Sequence, residues 1–175
     1  MFSNKALKKL ILPLVIEQIL IMAVGVADTV MVSYAGEVAI SGVGLVDMFN
    51  NLIITVLAAI DVGGAIIVSQ YIGNKDRKNA NKASSQLLTI TIVIATVIML
   101  GCLVFHRIFL STFFGAIEMD VMKAATTYFL ISAISFPFLG VYNSAAALYR
   151  SMEKTRTTMY VSILMNIINV VGNYI

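Results

Sequence analysis

The chain is poor in the residues that build chemistry. Its 175 residues include one cysteine, one histidine, two prolines and no tryptophan, and only 12% are charged. A lone thiol, Cys102, excludes a disulfide framework, and one His with one Cys cannot form a zinc cluster of the usual ligand set. No Ser/His/Asp set or His–Glu metal pair can be assembled around the isolated His106. Gly73-Asn74-Lys75 lacks both the following Ser or Thr and the upstream glycine of a phosphate-binding loop, so ATP is not a visible energy source. Nothing here supports an enzyme or a resident cofactor. What the chain has instead is hydrocarbon: 59% of its residues are hydrophobic and its mean hydropathy is +0.93. Soluble domains run near 45–50% apolar and about a quarter charged. The surplus must face lipid, and the chain reads as an integral membrane protein.

Five stretches are long and apolar enough to span a bilayer as helices, which takes roughly 20 residues each. They cover residues 10–34, 47–72, 87–105, 121–149 and 158–175, and are too long and uniform for spanning strands. The expected fold is an all-α, polytopic transmembrane bundle. Lys5, Lys8 and Lys9, then Lys75, Arg77, Lys78 and Lys82, then Arg150, Lys154 and Arg156 fall on one side, ten of the twelve basic residues. Positive charge stays cytoplasmic, so the N-terminus is inside and odd-numbered helices run outward. The net charge of +3 is thus an orientation signal, and no nucleic-acid partner is needed to explain it. Glu17, Asp28 and Pro13 interrupt the first apolar run, which is too long for a cleaved signal peptide. The fifth run stops at Ile175 without a polar flank, as expected of a fragment of a longer protein.

Carboxylates inside spans are functional candidates, since charge in hydrocarbon is costly. Glu17 and Asp28 are eleven residues apart, three helical turns plus about 20°, and share one face of the first helix, with Gly25 one turn before Asp28 where another helix or an ion could come close. Glu17 is shallow enough to reach Lys8, Lys9 or water. Ser162, Asn166, Asn169 and Asn173 form a polar stripe on the fifth helix, which must meet another helix or a wet cavity. A carboxylate opposite carboxamides makes an oxygen cage suited to a monovalent cation or a proton. Asp61 lies mid-way along the second span, beside an Ala59/Gly63 small-residue pair suited to tight packing, and Asp47 reads as a helix-start residue. Tyr128, Ser132, Ser135 and Tyr142 line one side of the fourth span, where Pro137 breaks the ladder as Pro13 does in the first. Each of these groups also has a structural reading: interhelical hydrogen bonds for Asp28 and the Asn stripe, ion pairing for Glu17 and Asp61, bundle interior for the Tyr/Ser side.

Four segments, in order, resemble the N-terminal half of the multidrug and toxic compound extrusion (MATE) family of antiporters. They are Pro13, Gln18 and Asp28-Thr29-Val30-Met31 in the first helix; residues 36–44, like the family's first external loop; Ser69-Gln70-Tyr71-Ile72-Gly73-Asn74-Lys75, like the end of its second helix and glycine turn; and residues 150–160 running into Asn166 and Asn173. The resemblance implies twelve helices in two lobes, of which this chain would be about five and inactive alone, its partners including the missing C-terminal helices and membrane lipid. It implies export of small organic, often cationic compounds across the plasma (inner) membrane in exchange for Na⁺ or H⁺, through a site falling on Asp28, Asn169 and Asn173. Glu17, Gln18, Asp61, Tyr142 and Asn166 are further candidates for lining the cavity. Alternatives are a lipid-linked oligosaccharide flippase of related fold and a passive channel or structural membrane subunit.

Overall fold

The computed structural model describes residues 4–115 and 117–174, and the side chains of residues 7–115 and 117–172. Five helices follow one another: α1 (Asn4–Ser33), α2 (Glu37–Gly73), α3 (Arg77–Phe114), α4 (Met119–Ser151) and α5 (Thr155–Tyr174). At 1.5 Å per residue, the 37 residues of α2 reach about 55 Å, well beyond a hydrocarbon layer of about 30 Å. The expected spans are therefore the lipid-crossing parts of longer rods. Residues 36–44, expected as an external loop, are mostly the first turns of α2, and Asp47 lies ten residues inside that helix, not at its start. α1 and α4 run on through Pro13 and Pro137.

Four helices are long and apolar enough to cross a membrane: Leu7–Ser33, Glu37–Gly73, Arg77–Phe114 and Met119–Ser151. Over its described residues α5 falls short of them, because Thr155, Arg156, Thr157, Thr158, Ser162, Asn166 and Asn169 interrupt its apolar run. Large apolar side chains such as Met22, Met48 and Phe138 are exposed, as expected of surfaces that meet lipid.

α2, α3 and α4 pack against one another as a three-helix group, while α1 and α5 pair with each other and touch that group sparingly. Inward seams recur at spacings of three, four and seven: Val46, Ile53, Leu57, Asp61 and Val68 on α2; Leu87, Thr91, Ala95 and Cys102 on α3; Phe129, Ala133, Phe136 and Gly140 on α4. Lipid is as apolar as leucine, so such helices associate by close fit, and small residues set the distance. A Cβ on Gly42 would meet the Ala125 backbone nitrogen at 2.9 Å and Ala124 Cβ at 3.0 Å. One on Gly64 would run into the Leu87 methyls, and one on Gly140 would lie 3.2 Å from Thr91 Cγ2 and from Ala95 Cβ. The Ala59/Gly63 pair does not play the expected part. Both residues are exposed and nothing lies within 4 Å of a Gly63 Cβ; the packing face is turned about 100° away, onto Gly64.

The two cytoplasmic turns are built alike. After α2, Asn74, Lys75 and Asp76 donate their backbone N–H groups to Gln70, Ile72 and Tyr71; after α4, Met152, Glu153 and Lys154 donate to Leu148, Arg150 and Tyr149. Each closes the helix with a non-glycine residue in the left-handed region, Lys75 (φ 58°) and Glu153 (φ 59°). Gly73, the expected turn glycine, is still helical. Asp76 then caps α3, its carboxylate accepting from the Asn79 backbone N–H at 3.1 Å and from Asn79 Nδ2 at 2.7 Å.

Two outcomes are expected. Gly42→Ala pushes α2 away from the α4 backbone and should destabilise by about 1–3 kcal/mol, whereas Gly63→Ala meets nothing and should gain about 0.5–1 kcal/mol of helix propensity; unfolding in detergent compares them. The Asn79 backbone and side-chain hydrogen bonds hold Asp76 below the usual carboxylate range. A carboxyl lowered by folding stabilises at pH values above its unfolded value of about 4 and loses that contribution as pH falls through its folded value. Amide protection factors at the start of α3, referred to the intrinsic exchange rate at each pH, should therefore fall on acidification, and Asp76→Ala should remove that dependence.

Candidate functional site

α1 is tied into the protein by its first carboxylate. Glu17 is 2% exposed. Its Oε1 accepts from Arg150 Nη1 at 3.0 Å and its Oε2 from the Thr158 hydroxyl at 2.8 Å. Arg150 stands in the last turn of α4 and Thr158 in the first turn of α5. Glu17 thus joins three helices at their cytoplasmic ends. Its partners are not Lys8 or Lys9, both exposed; a buried carboxylate needs fixed donors, and Arg150 and Thr158 supply them.

That contact also sets a register. Four short reversals separate α1 from α5, so the two run in the same direction, side by side. From the Glu17–Thr158 contact, eight residues along each helix lead to Gly25 and Asn166, and eleven to Asp28 and Asn169. Eleven residues are about 16 Å and three turns plus about 20°. Asp28 and Asn169 therefore stand level on the paired sides of α1 and α5. Both are half-buried, and both are engaged in polar interactions. No atom lies within 4 Å of where a Gly25 Cβ would stand, so that glycine leaves room and does not admit a close helix contact.

The lower part of the α5 stripe is fixed by its own bonds. Buried Ser162 shares a hydrogen bond of 3.1 Å with the Tyr142 hydroxyl of α4. Half-buried Asn166 donates Nδ2 to the Ser162 carbonyl at 2.7 Å. Toward the outer face, the Tyr128 hydroxyl donates to Asp47 Oδ1 at 2.9 Å, and Asp28 lies within electrostatic reach of that hydroxyl. Polar groups of α1, α2 and α4 thus collect in the outer half.

The candidates separate into three groups. Asp28 and Asn169 come level, with Asn166 and Tyr142 on the stripe below them; the Asn173 side chain lies outside the described residues. Glu17 belongs to the cytoplasmic clip. Asp61 is buried among α2, α3 and α4, and Gln18 is exposed on α1; neither joins the α1–α5 stripe.

The family profile described as MatE matches residues 13–175. The chain belongs to the MatE family. Relatives include the uncharacterised transporter YisQ of Bacillus subtilis (strain 168), 28% identical over 99% of this chain and 40% of its own length. The probable multidrug resistance protein NorM of Thermotoga maritima is 29% identical over 98% of this chain and 36% of its own. This MatE chain therefore spans well under half the length of the curated relatives it matches. Its fold is shared with a MOP superfamily transporter from Pyrococcus furiosus (TM-score 0.90, 21% identity, 97% of this chain and 37% of that one). It is shared equally with an outward-facing multidrug resistance MATE family transporter (TM-score 0.89, 20% identity, 97% and 37%). The family is one of membrane transporters, not enzymes, and this chain is a multi-pass membrane protein.

Sequence reasoning missed Arg150 and Thr158 as the partners of Glu17 in this MatE chain. A signal for Thr158 was available, since it stands four residues before Ser162 and extends the stripe by one turn. Arg150 was assigned to the positive-inside count alone. Arg150→Ala should leave the Glu17 carboxylate buried with one donor and destabilise by about 1.5–3 kcal/mol. The lower end is expected because the Arg150 side chain is 35% exposed and solvent screens the pair. Arg150→Lys should restore part of the loss; equal melting temperatures for wild type and Arg150→Ala would show that the clip carries no weight.

Proposed function

We propose that this MatE segment belongs to a secondary active antiporter that exports small organic, often cationic compounds across the plasma membrane in exchange for Na⁺ or H⁺. The level placement of Asp28 and Asn169 on parallel, adjoining helices carries the reading. A carboxylate and a carboxamide at one height supply the hard oxygen donors that a small monovalent cation takes. The same carboxylate can exchange that cation for a proton. The names of the NorM relatives support the substrate class, and family membership supports the transporter class.

Asp28 suits exchange because of where it stands. It is half-buried, in the outer half of α1, on the helix pair that touches the three-helix group least. A coupling ion entering from outside reaches it before any other acid of α1. Loading or release there changes the charge between α1 and α5, and alternating access moves such helices around a fixed site. Asn169 orients the carboxylate and shares the ion, while the Tyr142–Ser162 bond keeps α5 attached to α4 beneath the site.

Asp28→Asn in the complete transporter should abolish gradient-driven dye extrusion from inverted vesicles with normal membrane insertion. Asn169→Ala should weaken extrusion without abolishing it. Unchanged extrusion in Asp28→Asn would overturn the assignment, and ion conductance without dye exchange would point to a channel.

A further inference from the structure

A second carboxylate lies in the membrane interior, apart from α1 and α5. Asp61 is 2% exposed on the α2 seam, with buried Leu57 one turn before it and buried Val68 two turns after it. Its Oδ1 accepts from the Thr91 hydroxyl of α3 at 2.8 Å, and Thr91 is 0% exposed. No group among the described residues lies within hydrogen-bond distance of the buried Oδ2. The surroundings are closed by close packing: Gly64 against Leu87 on one side, and Gly140 of α4 against Thr91 and Ala95 on the other.

An ionised carboxylate has about four lone-pair positions to satisfy, and here one neutral hydroxyl serves them. The helices around it offer little more. α3 presents Thr91, and its basic Lys82 is exposed, nine residues or about 13 Å nearer the cytoplasm. On α4, Ser144 is buried one turn beyond Gly140 and gives its hydroxyl to the Gly140 carbonyl. The Arg150 charge reaches Asp61, but its guanidinium is bonded to Glu17, the acid that α1 contributes. A metal ion needs several oxygens around it, and no group of three or more His, Cys, Asp or Glu side chains that could hold one occurs among the described residues. A proton needs one oxygen only.

We propose that Asp61 is a proton-binding site, occupied at neutral pH, in the interior of α2, α3 and α4 and separate from Asp28. The proton resides on Oδ2, while Oδ1 remains the carbonyl oxygen that Thr91 bonds. This inference does not rest on the antiport reading.

Infrared spectra of the protein in lipid nanodiscs, where the C=O stretch of a protonated carboxyl stands clear of the amide bands, test it. At neutral pH the wild type should show such a band, absent in Asp61→Asn and present in Asp28→Asn. Thr91→Val should keep the band and move it to higher frequency, because the carbonyl loses its donor. In strongly alkaline buffer the wild-type band should be replaced by carboxylate absorption. Since Asn mimics the neutral acid, Asp61→Asn should fold and melt like the wild type. The proposal is overturned if the neutral-pH spectrum is the same in wild type and Asp61→Asn, or if Thr91→Val leaves every protonated carboxyl band in place.

Discussion

A carboxylate held out of water at the cytoplasmic end of α1 constrains everything that lies further along the helix. Burying Glu17 without donors would cost more than most single contacts return, so the chain has to bring Arg150 and Thr158 to it. These residues come from two helices joined by a three-residue turn, and one carboxylate thereby locks α1 against the α4–α5 corner. Arg150 also sits in the last turn of α4, where a cation favours the negative end of the helix dipole. α1 has few contacts with α2, so this contact and its packing along α5 set its height. The level placement of Gly25 with Asn166, and of Asp28 with Asn169, follows from it by counting residues.

The remaining three helices are held by a different force. Across their seams, glycine and alanine let backbones approach, and dispersion between closely fitted surfaces stands in for a hydrophobic drive that lipid does not supply. Gly42 fixes α2 on α4 near the outer end, Gly64 fixes α2 on α3, and Gly140 fixes α4 on α3. The phenyl rings of Phe49, Phe109, Phe113 and Phe129 fill the outer half with tilted and edge-on contacts. A dense three-helix group beside a pair that touches it sparingly, with the Glu17–Arg150 and Tyr142–Ser162 bonds between them, is a division of labour. Close apolar fits are hard to rearrange, whereas a few hydrogen bonds can exchange partners.

Much of this was legible in the sequence, and the reasons differ from residue to residue. Hydropathy revealed five helices because an unbroken apolar run has few other fates, and lysine placement oriented them. Helix ends were misjudged because the rods outrun the lipid: residues 37–44 and 77–86 lie outside the expected spans, yet are helical. Lys75 and Glu153 occupy left-handed positions that glycine would mark, so both turns were invisible by the usual cue. Asp61 was legible as a buried position, since Val46, Ile53, Leu57, Asp61 and Val68 recur at seven and four, but its partner Thr91 is one of several threonines on α3. Glu17 was visible as an intramembrane acid, while its pairing with Arg150 depends on a separation of 133 residues that no local pattern encodes.

Four carboxylates of this chain, Glu17, Asp28, Asp47 and Asp61, lie away from the helix ends in four environments, and the contrasts bear on the exchange proposed for one of them. Glu17 has a guanidinium and a hydroxyl and is closed off, so it is a fastening. Asp47 is half-buried and takes the Tyr128 hydroxyl, a neutral donor that stabilises charge without competing for it. Asp61 has one hydroxyl and is buried in its seam, which favours holding a proton over passing ions. Asp28 alone combines partial burial, a carboxamide at its own height and a place between two helices that are not closely packed into the rest. A group that must alternate between ion and proton needs access as much as affinity, because an ion that cannot leave blocks the cycle. Among these acids, that pairing of an oxygen neighbour with an open side belongs to the residue farthest along α1 from the clip that positions it.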